Sequence, residues 1–462
     1  MTAGPRSSSG DGESLHPRLL EGELRILGGR WSPRVHQIKN FLARSRVPYH
    51  WLDTERDEDA RKLVSQLGAS QRAVVLFPDG TRLVDPELRE LAARLGLDTE
   101  PDDRFYDLIV VGGGPAGLSG SIYAASEGLR TLVVEQEVPG GQISYSAIVE
   151  NYPGFPKGLS GSDLAGRTAA QAERFGVEVL VMRRAIELAE QNDSRVLTLD
   201  DGSKLYSRAI LLAMGVSFRW LDLPGCAPLV GAGIYYGAAT AEASACRGQQ
   251  ICVLGGGNSA GQATLLLAQF ADRVVILALE DSLEQTMSQY LVDRIRQLPN
   301  VEVRPHTTVV AADGRGRLES LTLKDVKTGR TERATCDGLF IFIGATPRTE
   351  WLAKSLRRDE DGFILSGEEV RCDPSQWPEW RLGREPYRLE TSMAGVFVAG
   401  DVRKGSVKRL ASAVGEGAMA IQYVHRYCAH TMRRRTEEAV ASSSLSSLRN
   451  QHSSPEVGGP IG

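Results

Sequence analysis

The chain lacks the paired cysteines that dithiol chemistry and zinc binding need. Its six cysteines stand at 226, 246, 252, 336, 372 and 428, and no two are three positions apart, so there is no CxxC redox pair or zinc knuckle. The pattern reads as scattered, reduced thiols of a cytoplasmic protein. Positive charge is not in excess either. The 54 Lys and Arg against 58 Asp and Glu leave a net charge of −4, and no basic patch stands out, which argues against a nucleic-acid partner. Long hydrophobic runs are missing. Stretches such as LFIFIGA fall far short of the roughly 20 apolar residues of a membrane helix. The opening MTAGPRSSSGDGESLHP has no apolar run and does not read as a signal peptide. Glycine, by contrast, is abundant at 49 residues, which suggests tight turns and close backbone approaches.

The 462 residues allow two or three domains. Residues 1–21 are polar and rich in Ser, Gly and Pro, and read as a flexible tail. Residues 436–462 are Ser-rich and read as disordered. Residues 22–98 alternate strand-like and helix-like stretches: ELRILGG, VHQIKNFLARSR, YHWLD, DARKLVSQLG, AVVLFPDG and PELRELAARLGL. From about 106 to 432 one α/β pattern continues, so the predicted class is α/β with two Rossmann-like dinucleotide-binding domains.

Two glycine loops carry the chemistry. In DLIVVGGGPAGLSGSIYAASEGLRTLVVE a strand runs into Gly112-x-Gly114-Pro115-Ala116-Gly117, a helix follows, and a second strand ends on Glu135. In this arrangement the first glycine permits the turn, the second lets a pyrophosphate reach the backbone, and the third lets helix and strand pack closely. The helix N-terminus offers free N–H groups to phosphate, and the terminal acid can accept hydrogen bonds from a ribose. The layout repeats in ICVLGGGNSAGQATLLLAQFADRVVILALE, with Gly255, Gly257, Asn258, Ser259 and Ala260; the residue 23 positions on from the first glycine is Glu135 in one loop and Ala278 in the other. A third stretch, GVFVAGDV, ends a strand on Gly400 and Asp401, where an aspartate can hydrogen-bond a flavin's ribityl chain.

From about 104 to 432 the chain resembles the low-molecular-weight thioredoxin reductases and their relatives among the pyridine nucleotide–disulfide oxidoreductases, on GGGPAG, PGGQI, VENYPGF, LLAMGVSFRWLDLPG, GGGNSAG, LFIFIGATP and AGD in that order. The resemblance implies an FAD domain split over 104–226 and 348–432, with an NAD(P) domain at 227–347 inserted between the halves. It implies FAD on Gly112, Gly114, Pro115, Ala116, Gly117, Glu135, Gly141, Gln142, Asn151, Gly400, Asp401 and Ala413, and the run Val414 to Gly417 facing the flavin ring. It places the nucleotide phosphates of NAD(P)H on Gly255, Gly257, Asn258, Ser259 and Ala260. Lys408 and Arg409 fall near its charged or amide groups beside the flavin. A homodimer whose NAD(P) domain rotates is also expected from it.

The family's C-A-T-C motif aligns with Gly237, Ala238, Ala239 and Thr240, so both sulfurs are gone and the usual dithiol relay cannot operate. The basic H-R-R run that holds an NADP 2′-phosphate in these reductases aligns with Ala278, Leu279 and Glu280, which leaves the choice between NADH and NADPH open. Residues 22–98 resemble a glutaredoxin or thioredoxin module in which Ser32, Pro33, Arg34 and Val35 replace CPxC, so it reads as a packing or docking module without dithiol chemistry. The expected function is an FAD-dependent oxidoreductase passing electrons between NAD(P)H and a non-dithiol acceptor: ferredoxin, flavodoxin, a quinone, oxygen or a small molecule. Two alternatives stand beside it. One is disulfide reduction through a different thiol, with Cys246 nearest in sequence; the other is a flavin-bearing sensor or interaction protein. No catalytic acid or base and no metal site is identified.

Overall fold

A computed structural model of the chain describes residues 23–69, 72–146, 148–236, 240–370 and 384–451. The predicted tail 1–21 and the positions 237–239 lie outside the described residues. The first unit contains β1 (Leu24–Gly28), α1 (Pro33–Arg44), β2 (Tyr49–Asp53), α2 (Glu58–Gln66), β3 (Val74–Leu76), β4 (Arg82–Val84) and α3 (Leu88–Arg94). Its sheet runs β2-β1-β3-β4, with β1 parallel to β2 and antiparallel to β3. β4 was hidden in the sequence inside the turn after AVVLFPDG. α1 starts where Ser32 caps it and Pro33 sets the first turn, and Val35, Ile38, Phe41 and Leu42 are its buried face.

The flavin half is built on β5 (Phe105–Val111), α4 (Pro115–Ser126), β6 (Thr131–Val134), α5 (Gly161–Arg174), β7 (Glu178–Leu180), β8 (Ala185–Gln191), β9 (Ser194–Leu199) and β10 (Lys204–Leu212). The sheet order is β7-β6-β5-β10-β9-β8. β5 reads FYDLIVV because a central parallel strand is covered on both faces and has no side left for water. The chain then crosses at β11 (Ser217–Phe218) into the second half: β12 (Ile234–Tyr236), α6 (Thr240–Ala245), β13 (Gln250–Leu254), α7 (Asn258–Leu267), β14 (Arg273–Leu277), α8 (Gln289–Arg296), β15 (Val301–Arg304), the three-stranded β16 (Thr307–Asp313), β17 (Ser320–Asp325) and β18 (Thr331–Thr335), then β19 (Gly338–Ile341). Its parallel sheet runs β12-β19-β13-β14-β15. The return strand β20 (Ala345–Thr346) pairs antiparallel with β11, so the outgoing and returning chains cross side by side. The second core includes Cys226 together with Leu229, Ile234 and Cys252.

β21 (Val396–Val398) then joins β10, and α9 (Leu410–Gln451) closes the chain. Of the stretch 436–462 expected to be disordered, residues 436–451 continue α9, and 452–462 lie outside the described residues. The serines suggested a coil, but no glycine or proline interrupts the chain between Gly417 and Gln451. Among the described residues no helix is long and apolar enough to cross a membrane.

The first unit is joined firmly to the flavin half. Val181 N donates to Asp98 O at 2.9 Å. The fully buried Arg183 donates to Thr99 O and pairs with Glu100, each at 3.1 Å. The same unit also touches the second half. Arg30 donates to Ala245 O, the Arg317 guanidinium lies 5.7 Å from the Trp31 ring centre, and His36 lies 5.3 Å from the ring of Tyr235.

Candidate dinucleotide and flavin site

A cavity of about 630 Å³ lies between the two halves, within the size range of small-molecule and cofactor sites. Thirteen of the predicted residues line it: Gly112, Gly114, Pro115, Ala116, Glu135, Gly141, Gln142, Asn151, Asn258, Ser259, Gly400, Asp401 and Ala413. Lys408 and Arg409 line it as well. Gly117, Gly255, Gly257 and Ala260 do not.

The three glycines of the first loop have separate reasons. Gly112 has φ +102°, and a Cβ there would sit 2.6 Å from Ala213 O. A Cβ on Gly117 would sit 1.9 Å from Gly112 O, so helix and strand touch only because it is absent. Gly114 is different. It caps α4 with ordinary dihedrals, and a Cβ would meet nothing nearer than Gly141 Cα at 3.9 Å. Neither backbone strain nor packing within the chain requires glycine at 114. The open space faces the cavity beside the free N–H groups of α4, which fits a pyrophosphate lying against the backbone.

Glu135 follows β6 and is buried. Its Oε2 accepts from Gly113 N at 2.6 Å and its Oε1 from Glu137 N at 2.9 Å. Burial pushes its carboxyl above the usual range, opposed by the two backbone N–H groups and the Arg44 charge. A buried acid at the cavity wall, held by the glycine loop itself, fits a ribose diol. Gln142 donates to Val216 O, which fastens the 141–145 turn to the start of β11. Gly400 (φ +76°) is held by Glu416, which accepts from Gly400 N at 2.8 Å and pairs with Arg403 at 2.5 Å. Burial raises the Asp401 carboxyl and the nearby Lys408 charge lowers it.

For Val414 and Gly417 the structure shows packing contacts with α4. Only Ala413 reaches the cavity. Val414 O accepts from Ser119 Oγ at 2.9 Å, and a Cβ on Gly417 would sit 2.1 Å from Ala116 O. These residues are where α9 packs onto α4, a role the Gly-rich spacing could equally have signalled.

The second loop repeats the first. Gly255 has φ +135°, with Phe342 O 2.4 Å from a would-be Cβ, and Gly257 caps α7 with open space to Thr286 O at 4.0 Å. Ala278 is buried and carries no acid function. Glu280 takes the acid's place instead. Its Oε2 lies 2.5 Å from a would-be Cβ on Gly256, matching Glu135 Oε2 at 3.2 Å from one on Gly113. Glu280 Oε2 is buried with no hydrogen-bond partner. Reading this residue only as the replacement of a basic one missed that it turns back beneath its own glycine loop.

Among the described cysteines, Cys226, Cys246, Cys252 and Cys336 are buried and Cys428 is half-buried. None lines the cavity. Burial pushes the thiols of Cys226, Cys336 and Cys428 above their ordinary values, which disfavours the thiolate. Among the described residues no cluster could hold a metal.

Two βαβ modules whose loops both leave room for phosphate define a two-dinucleotide α/β oxidoreductase. Residues 106–417 match the family described as Pyridine nucleotide-disulphide oxidoreductase, and the chain belongs to it. It is similar to the thioredoxin reductase of Treponema pallidum, 33% identical over 323 residues, 70% of this chain and 97% of that protein. It is also similar to a 34.2 kDa protein of the rubredoxin operon of Clostridium pasteurianum, 30% identical over 71% of this chain and 98% of that one. Among solved structures it resembles the thioredoxin reductase of Lactococcus lactis, with a TM-score of 0.62 and 28% identity over 70% of this chain and 98% of that one. The chain is thus an FAD-dependent NAD(P)H oxidoreductase of the thioredoxin reductase-like branch.

Proposed function

We propose that the chain oxidises NADH and delivers the electrons to an acceptor that is not a dithiol. The observation that carries this reading is the absence of a thiol where one is required. Positions 237–240 read Gly-Ala-Ala-Thr, and the described cysteines sit away from the cavity. A disulfide relay needs two sulfurs within reach of each other and of the flavin; the side chains of Cys252 and Cys336 do meet, but they are buried in the core of the second half and do not line the cavity. Cys246, the nearest alternative, is packed in the core around Ile251 and Val253.

FAD bound in the cavity would supply the hydride acceptance and onward electron transfer. This chain's residues do the holding. The α4 N-terminus and Gly114 receive the pyrophosphate, Glu135 the adenosine ribose, and Asp401 the ribityl side. Asn258 and Ser259 bring the second loop to the same cavity. The first unit, read as a thioredoxin-like module by its β2-β1-β3-β4 sheet, has Ser32 and Pro33 at the start of α1 and takes no part in thiol exchange.

Glu280 supports NADH over NADPH. A carboxylate under the second glycine loop can accept from a ribose 2′-hydroxyl, whereas a 2′-phosphate would meet like charge and find no basic residue at 278–280.

The test is anaerobic. NADH added to the purified holoprotein should bleach the flavin absorbance faster than NADPH, and steady turnover should follow with a quinone but not with oxidised thioredoxin. Turnover with thioredoxin at the quinone rate would overturn the reading.

A further inference from the structure

Helix α1 buries one face in its own unit and lends a second, partly exposed face to the cavity. Val35, Ile38, Phe41 and Leu42 pack into its own sheet. His36, Gln37, Asn40 and Arg44 fall on a second stripe and line the flavin cavity together with Glu135 and Gln142. Residues spaced i, i+1, i+4 and i+8 share one helix face. Gln37 stays exposed, while His36, Asn40 and Arg44 are half-buried against the cavity.

Arg44 ends the stripe. Its guanidinium donates to Tyr145 Oη at 2.7 Å and Ser144 Oγ at 3.1 Å, pairs with Glu137, and lies 4.6 Å from the Tyr145 ring centre. Its side chain is 8% exposed. Those partners belong to the 135–145 segment, which also carries Glu135, Gly141 and Gln142. A buried guanidinium persists only where its donors are matched, and each such charge-assisted bond fixes geometry. The segment that holds one side of the cavity is therefore fastened by a residue from a different unit. The family match begins at residue 106, so this wall lies outside the matched region.

We propose that α1 is a wall of the FAD site. It lines the cavity beside Glu135, and Arg44 is the positioning residue that keeps the 135–145 segment in its FAD-holding form. This stands whatever the electron acceptor is.

Two measurements on the full chain test it. In the first, hydrogen exchange is followed with and without FAD. Residues 33–44 should gain more protection from FAD than residues 58–66 of α2, which pack in a separate core around Val64 and Val74; equal protection of both helices would overturn the proposal. In the second, FAD release is followed by flavin fluorescence after dilution. Arg44→Ala should release FAD about tenfold faster or more, as expected for lost hydrogen bonds to a charged group, and Arg44→Lys should fall between it and the unaltered chain. An Arg44→Ala protein with an unchanged circular dichroism spectrum and an unchanged release rate would also overturn it.

Discussion

The two nucleotide modules of this chain share a plan and differ in detail. Both run a parallel strand into a positive-φ glycine pressed against a neighbouring carbonyl: Gly112 against Ala213 O and Gly255 against Phe342 O. Both cap the following helix with a glycine at which a Cβ would meet nothing nearer than 3.9 Å. They part at the third position, where Gly117 allows contact that a Cβ would forbid and Ala260 already carries one. They part again at the acid. Glu135 is buried and accepts two backbone N–H groups, while Glu280 is half-exposed with one oxygen left without a partner. The first module holds its acid against the wall of the shared cavity. The second presents a single acid to a ligand that comes and goes.

The largest expected effect breaks the first module by packing alone. Gly117→Ala places a methyl 1.9 Å from Gly112 O and should cost about 3 kcal/mol, a fall in Tm of about 10 °C. Gly114→Ala should leave the Tm of the flavin-free protein unchanged yet weaken FAD at least about tenfold, about 1.4 kcal/mol. Thermal melting with flavin titration separates the two. If Gly114→Ala also melted early, the space at 114 would serve the fold and not a ligand.

The second module is sharpened by Glu280→Arg. It should shift the ratio of NADH to NADPH affinity toward NADPH by about 10- to 100-fold, the range of a charge-assisted contact, read as Kd for each nucleotide. An unmoved ratio would remove Glu280 from the ribose site.

A smaller effect concerns protons. Burial raises the Glu135 carboxyl above its ordinary 4.5. The folded flavin-free chain therefore binds this proton at pH values where the unfolded chain has lost it. Its contribution makes stability fall as pH rises from about 4.5 toward the folded value. Glu135→Gln should flatten that decline above about pH 4.5 in melting experiments on flavin-free protein; an identical decline would contradict it. Smallest of all, Cys246→Ser should leave quinone turnover unchanged, and a loss would restore a thiol to the mechanism.

Much of the fold was legible because it rests on local chemistry. A strand, three spaced glycines, a helix and a terminal acid are enough to describe the first module from its residues alone. The split of the flavin half was legible through motif order. Two kinds of feature were not. α9 was lost beyond residue 436 because serine content suggested coil, whereas the absence of glycine and proline was the better guide. The contribution of α1 to the cavity was not legible because it depends on how two units dock, which the spacing of VHQIKNFLARSR does not carry. Glu280 falls between these cases. The acid is visible in the sequence, but alignment to the first module pointed two residues earlier, to Ala278.

Counting electrons tests the central claim most directly. The unaltered holoprotein is titrated anaerobically with a two-electron reductant while the flavin absorbance is followed. With no disulfide in reach, the flavin should be fully reduced after about one equivalent per FAD. A need for about two equivalents would mean that a dithiol shares the electrons, and would contradict the account.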